Sequence, residues 1–165
     1  MKIVIAGSSG VVGTGLIAAL NERGDEVIRL VRPQSNAVGI PWDPEVGSIS
    51  TNDLEGADAV VNLAGRSIGE RRWTAAEKQL VFSSRVESTR LLATAIAGLE
   101  RPPAVMVNAS AIGYYGDGGD RLLAEDAPAG SGFLSEVCVA WERATEPAES
   151  AGVRVAYLRT GIVLS

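Results

Sequence analysis

The chain has 165 residues and carries 15 lysines and arginines against 20 aspartates and glutamates, a net charge of −5. At 46% hydrophobic and 21% charged residues it has the balance of one folded domain, and its acidity offers no attraction for nucleic acid or an anionic membrane. Histidine is absent and Cys138 is the only cysteine, which removes imidazole bases, disulfides within the chain and nearly all zinc sites, and points to a reducing, cytoplasmic setting.

Short apolar runs alternate with longer helical stretches, the pattern of a parallel sheet covered by helices. Lys2–Ala6 reads as a buried strand, followed by a glycine turn and a helix from Val11 to Arg23. From Ile3 to Asn21 no residue is charged, about the length of a membrane span. Glycines 7, 10, 13 and 15, with Ser8 and Ser9, interrupt that run where a spanning or signal helix is most apolar. Glu26–Arg32 is the second strand, and Ile40–Ser50 is a hairpin or loop excursion. Asp58–Leu63 is the third strand. Thr74 and Glu77 have the spacing of a capping box at the head of a helix that runs to Leu99 and stops before Pro102-Pro103. Its apolar residues Leu80, Val81, Leu91, Leu92, Ala95 and Ile96 recur at helical spacing. Ala104–Asn108 is the fourth strand, and the glycine-rich stretch from Ala109 to Gly130 is too long to be an idle connection. One more helix follows, with Leu134, Val137, Cys138, Trp141, Ala144 and Ala148 on one stripe, and Val153–Leu158 is the last strand. The expected fold is a doubly wound α/β/α sandwich of the Rossmann type, formed by residues 1–165 as one domain.

Gly7-Ser8-Ser9-Gly10-Val11-Val12-Gly13 joins a strand directly to a helix. One glycine makes the tight turn, the next lets a pyrophosphate approach the main chain, and the last lets helix and strand pack closely. The phosphates would meet the free N–H groups of a helix start that carries about half a positive charge. The context of strand, turn, helix and second strand makes dinucleotide binding the expectation. At the end of the second strand NAD-binding domains place a carboxylate on the ribose hydroxyls, whereas this chain has Leu30-Val31-Arg32. A guanidinium there suits the 2′-phosphate of NADP, in a charge-assisted contact worth about 1.5–3 kcal/mol. The other reading of Arg32 is a solvated surface arginine before Pro33.

The GxxGxxG spacing, together with Val61-Asn62-Leu63-Ala64-Gly65, resembles the extended or atypical short-chain dehydrogenase/reductases. Trp42-Asp43-Pro44, Ser84-Arg85-Val86, Ala111-Ile112-Gly113-Tyr114-Tyr115-Gly116, Trp141-Glu142 and Leu158-Arg159-Thr160-Gly161 are similar to the nucleoside-diphosphate-sugar epimerase family proteins, across essentially the whole chain. The resemblance implies an NADP-dependent oxidoreductase or epimerase whose members usually carry a C-terminal substrate region that this chain lacks. It also implies a small-molecule substrate, anionic or nucleotide-sugar-like. Leu63, Ala64 and Gly65 would face the cofactor.

Members of that superfamily use a serine, a tyrosine and a lysine, with an asparagine behind them. Ser110 is the best serine, although aligning back from Tyr115-Gly116 puts Ala111 at that position. No YxxxK occurs in the chain. Matching Glu142 to the family places the tyrosine and lysine positions at Leu134 and Cys138, and Arg85 at the asparagine position. Substitutes are Tyr114 and Tyr115 on the glycine-rich segment, with Arg85 as a charge beside them or on a phosphate, and Glu136 as a carboxylate acid or base. Arg71, Arg72 and Trp73 can receive an anionic substrate or form an ordinary surface loop. Against an enzyme stands a second reading, a regulatory module that binds NADP(H) without turning anything over.

Overall fold

In the computed structural model, which describes residues 1–163, the chain forms seven strands and four α-helices. In chain order they are β1 (Lys2–Ala6), α1 (Val11–Glu22), β2 (Glu26–Val31), β3 (Ile40–Asp43), β4 (Ser48–Ile49), β5 (Ala59–Asn62), α2 (Ala75–Ala97), β6 (Val105–Ala111), α3 (Phe133–Arg143), α4 (Glu146–Ser150) and β7 (Arg154–Thr160). A 3₁₀ turn covers Ile112–Tyr115. The sheet runs β4-β3-β2-β1-β5-β6-β7, and every pairing is parallel except that of β3 with β4. The strand order reverses beside β1, so the carboxyl ends of β1 and β5 form the switch point where ligands of such sheets bind.

The central strands are apolar on both faces because both faces are covered. Ile3, Ile5, Ala59 and Val61 point to one side and pack on Leu16, Ile17 and Leu20 of α1. Val4, Ala6, Val60 and Met106 point to the other, against Leu92, Ala93 and Ile96 of α2 and Ala148 of α4. Among the described residues no helix is long and apolar enough to cross a membrane.

The expected doubly wound three-layer fold is the one observed, with four local differences. The excursion after β2 is a hairpin whose first strand, β3, also joins the main sheet through Leu30 and Val31, with Trp42 buried on its inner face. Leu80 is exposed where the helical stripe placed it in the core, while Val81, Leu92, Ala95 and Ile96 are buried as expected. β6 runs three residues past Asn108, because it keeps a parallel partner in β7 as far as Ala111 and Thr160. The last helix is two, α3 and α4. Pro147 lacks the N–H that a continuous helix would need and crowds the carbonyl four residues back, and Thr145 closes the break by bonding the Glu142 carbonyl at 2.7 Å.

The capping box is half formed. Thr74 Oγ1 accepts the Glu77 N–H at 3.2 Å, but the Glu77 carboxylate turns to Arg66 instead, at 2.6 and 3.2 Å. A guanidinium fork outcompetes a single backbone donor for a carboxylate. The exchange fixes the segment after β5 to the first turn of α2.

A buried polar knot holds β5, β6, α2 and α3 together. Asn62 donates to Thr89 Oγ1 at 2.8 Å and to Asn108 Oδ1 at 2.7 Å, and its own Oδ1 accepts the Ala64 N–H at 3.2 Å. Trp141 Nε1 donates to the same Thr89 hydroxyl at 2.8 Å. Thr89→Val keeps the shape and strands two donors in the core, so chemical denaturation should show a loss of about 3 kcal/mol. The Arg66 guanidinium holds the Glu77 carboxyl below its ordinary value of 4.5. A depressed folded-state value means stability that is present above the unfolded value and lost as pH falls through the folded one. Glu77→Gln should therefore melt below the parent chain at pH 7, and the gap should close as the pH falls below 4.5.

Candidate functional site

At the switch point the turn from Gly7 to Gly13 is shaped by what it packs against. Gly7 has a φ of +76°, and a Cβ there would lie 2.5 Å from the Leu63 carbonyl group. Gly13 is closed to a side chain by the Gly7 carbonyl oxygen. Gly10 differs: its φ is −74° and a Cβ would meet only the Gly7 oxygen, at an ordinary 3.6 Å. Gly10 begins α1 with no side-chain cap, which leaves first-turn N–H groups without a side-chain partner. The Val11 and Val12 side chains at the start of α1 are 57% and 43% exposed. Ser9 is exposed, whereas Ser8 is buried and its Oγ accepts Arg29 Nε at 3.0 Å.

Gly7, Ser8 and Ser9 form one wall of a cleft of about 660 Å³. Arg29 to Arg32 and Trp42 also line it, as do Ala64, Gly65, Leu80, Ser83 and Ser84. Leu63 lies beneath, its N–H on the Ala6 carbonyl at 2.9 Å. Arg85 packs elsewhere. Its guanidinium sits against Gly65 and 5.1 Å over the Trp141 ring, donates to the Val81 carbonyl at 3.1 Å, and is made less basic by burial.

A second constellation lies at the carboxyl ends of β6 and β7. Ser110 Oγ donates to Glu142 Oε1 at 2.6 Å, and Arg159 grips the same carboxylate with Nε and Nη2, both at 2.9 Å. Nη1 of Arg159 reaches the Tyr115 hydroxyl and the Glu125 carbonyl, each at 2.9 Å. The guanidinium lies 3.5 Å from the centre of the Tyr114 ring, which meets Tyr115 edge-on. Glu142 drives Arg159 far above the usual guanidinium range, so the cation is permanent. Ser110 faces inward with Asn108, while Ala111 lies on the opposite face of β6. The cation beside the tyrosines is thus Arg159, not Arg85.

The remaining candidates lie apart. Glu136 is exposed on the first turn of α3. Leu134 and Cys138 are packing residues: a Cβ on Gly113 would come within 3.3 Å of Leu134 and 3.8 Å of Cys138 Sγ, and burial raises the thiol's pKa. Trp73 is 41% exposed, edge-on to Phe133 at 5.8 Å, and Arg71 and Arg72 are exposed beside it. Sequence reasoning passed over Arg29 and the roles of Glu142 and Arg159. The available signal was an arginine inside each apolar strand, EVIRLV and RVAYLRT, since a charge there needs a partner.

Comparison with known proteins agrees with this geometry. The family model described as NAD dependent epimerase/dehydratase family matches residues 3–160. An epimerase family protein from Mycobacterium tuberculosis is 46% identical over 164 residues, covering 99% of this chain and 54% of its own length. The human epimerase family protein SDR39U1 is 36% identical over 168 residues and is covered to 55%. The chain therefore spans about half the length of the curated relatives it matches. Among solved structures, a nucleoside-diphosphate sugar epimerase from Corynebacterium glutamicum superposes with a TM-score of 0.87 at 42% identity, over 100% of this chain and 34% of that one. Human SDR39U1, solved with NADPH, gives a TM-score of 0.85 at 34% identity, over 99% of this chain and 55% of that one. With a family model across nearly its full length and a switch-point cleft of the matching form, this chain belongs to the NAD dependent epimerase/dehydratase family.

Proposed function

We propose that the chain is an NADP(H)-binding module of an epimerase-type oxidoreductase, which acts by hydride transfer at an oxygen-bearing carbon. The observation that carries this is Gly10. Gly7 and Gly13 are bare because the protein's own backbone occupies their side-chain space. Neither packing nor backbone strain demands a glycine at 10, so the bare position serves a ligand that comes close from outside. Its neighbours fit a diphosphate: open first-turn amides, the buried Ser8 and the cleft arginines. The human relative solved with NADPH supports the phosphorylated coenzyme.

A bound nicotinamide would supply or accept the hydride. Tyr115 is the proton-handling group this reading favours, because its hydroxyl sits at the carboxyl edge and accepts a hydrogen bond from Arg159 Nη1 at 2.9 Å. Ser110 supports that arrangement through Glu142 rather than acting on a carbonyl. The substrate would be a small anionic or nucleotide-sugar-like molecule.

One observation favours the second reading, an NADP(H)-sensing module without turnover. The helix positions where the superfamily keeps its tyrosine and lysine are spent on packing Leu134 and Cys138 against Gly113.

Calorimetry with NADPH should register binding by the parent chain and a loss of roughly 100-fold or more for Gly10→Glu, with the melting temperature unchanged. An unchanged affinity would remove the diphosphate reading. Nicotinamide absorbance, followed while the loaded protein meets a panel of sugar nucleotides and carbonyl compounds, should change and should slow by roughly 100-fold in Tyr115→Phe. A flat trace across the panel, with NADPH still bound, would leave the sensor.

A further inference from the structure

Arg32, the arginine placed by sequence to read a 2′-phosphate, is not a free charge. Its Nη1 lies 3.6 Å from Asp43 Oδ1 and 3.7 Å from Glu45 Oε1, and its guanidinium lies 5.7 Å from the centre of the Trp42 ring. Asp43 is held in place, since its Oδ1 also accepts the Glu45 N–H at 3.0 Å. A dianionic phosphate arriving at Arg32 would meet two carboxylates that already offset the cation, and like charges at such distances weaken the gain.

Arg29 has the opposite character. In the sheet it is paired with Ile5, so a side chain extended along the strand ends at the glycine turn, where its Nε donates to Ser8 Oγ at 3.0 Å. It lines the same cleft as Arg32. No carboxylate among the described residues forms an ion pair with it. Ser8 occupies one edge of the guanidinium and leaves the terminal nitrogens for another acceptor. Two guanidiniums against two carboxylates make this end of the cleft neutral; without Arg29 it would carry a net negative charge.

We infer that Arg29 is the specificity-determining charge of the cleft: it binds the phosphomonoester on the adenine ribose, while the charge of Arg32 is offset by Asp43 and Glu45. The inference rests on the NADP(H) reading above and names a residue that reading does not require.

The test is calorimetric titration of the full chain with NADPH, NADH, 2′,5′-ADP and 5′-AMP. Arg29→Met should weaken NADPH and 2′,5′-ADP by roughly one to two powers of ten and leave NADH and 5′-AMP within about twofold. Arg29→Lys, which keeps the charge, should retain the preference for the phosphorylated ligands, as should Ser8→Ala, whose loss, if any, falls equally on NADPH and NADH. Parallel loss of NADPH and NADH in Arg29→Met would make Arg29 a support of the turn and overturn the inference. So would an unchanged ratio, or a preference lost equally in Ser8→Ala. Because methionine at 29 can affect folding, circular dichroism melts accompany each variant, and the Lys and Ala variants decide the matter if Arg29→Met does not fold. A parent chain that takes up neither coenzyme defeats the NADP(H) reading itself, a result distinct from a parent that binds both without preference, which defeats only the role of Arg29.

Discussion

The carboxyl edge of this sheet is where it is because one asparagine is fully committed. Asn62 ends β5 with both amide hydrogens given to Thr89 and Asn108 and its oxygen taken by the Ala64 N–H. Buried and satisfied, the group has no alternative partner of comparable energy, and leaving any member unpaired would cost more than the bond itself returns. From that knot two consequences run in opposite directions along the edge. On one side, Ala64 and Gly65 are turned into the cleft facing the glycine turn. On the other, β6 is carried straight on to Ser110, whose hydroxyl meets the Glu142 carboxylate and, through it, Arg159.

The two halves of the edge solve different electrostatic problems. Around the glycine turn the backbone dominates, and Gly7 and Gly13 lack side chains because neighbouring main chain fills that space. Around Tyr114 and Tyr115, side chains do the work. A carboxylate anchors a guanidinium in a half-buried place, and the guanidinium in turn organises two aromatic rings and a loop carbonyl. The first arrangement is built from main chain. The second presents a hydroxyl beside a fixed cation.

Much of this was legible before any coordinates. Strand and helix identities follow from apolar runs and periodicity, and the glycine turn from its spacing between β1 and α1, because local patterns report local geometry. What stayed hidden depends on contacts between residues distant in the chain. Glu77 has the spacing of a capping box, and nothing local reveals that Arg66 will claim its carboxylate. The sequence offers Arg85 as the cation beside the tyrosines, and only the packing of α2 on α3 shows that it is turned onto Trp141 while Arg159 arrives there from β7. The helix expected to run through Ala148 needed only more weight on Pro147. Ser110 and Ala111 could not be ranked by sequence, since the end of β6 depends on how far β7 accompanies it.

That last point bears on how such a scaffold acquires new chemistry. β6 is clamped in register on both sides, to β5 as far as Asn108 and to β7 as far as Ala111. Sliding the strand by one residue would swap every inward side chain for an outward one and expel Asn108 from its knot, so the scaffold cannot gain a reactive oxygen on its other surface by insertion or deletion. A point change at Ala109 or Ala111, which already stand on that face, leaves the register intact. Evolutionary tinkering with this edge is therefore confined to exchanging residues in fixed slots.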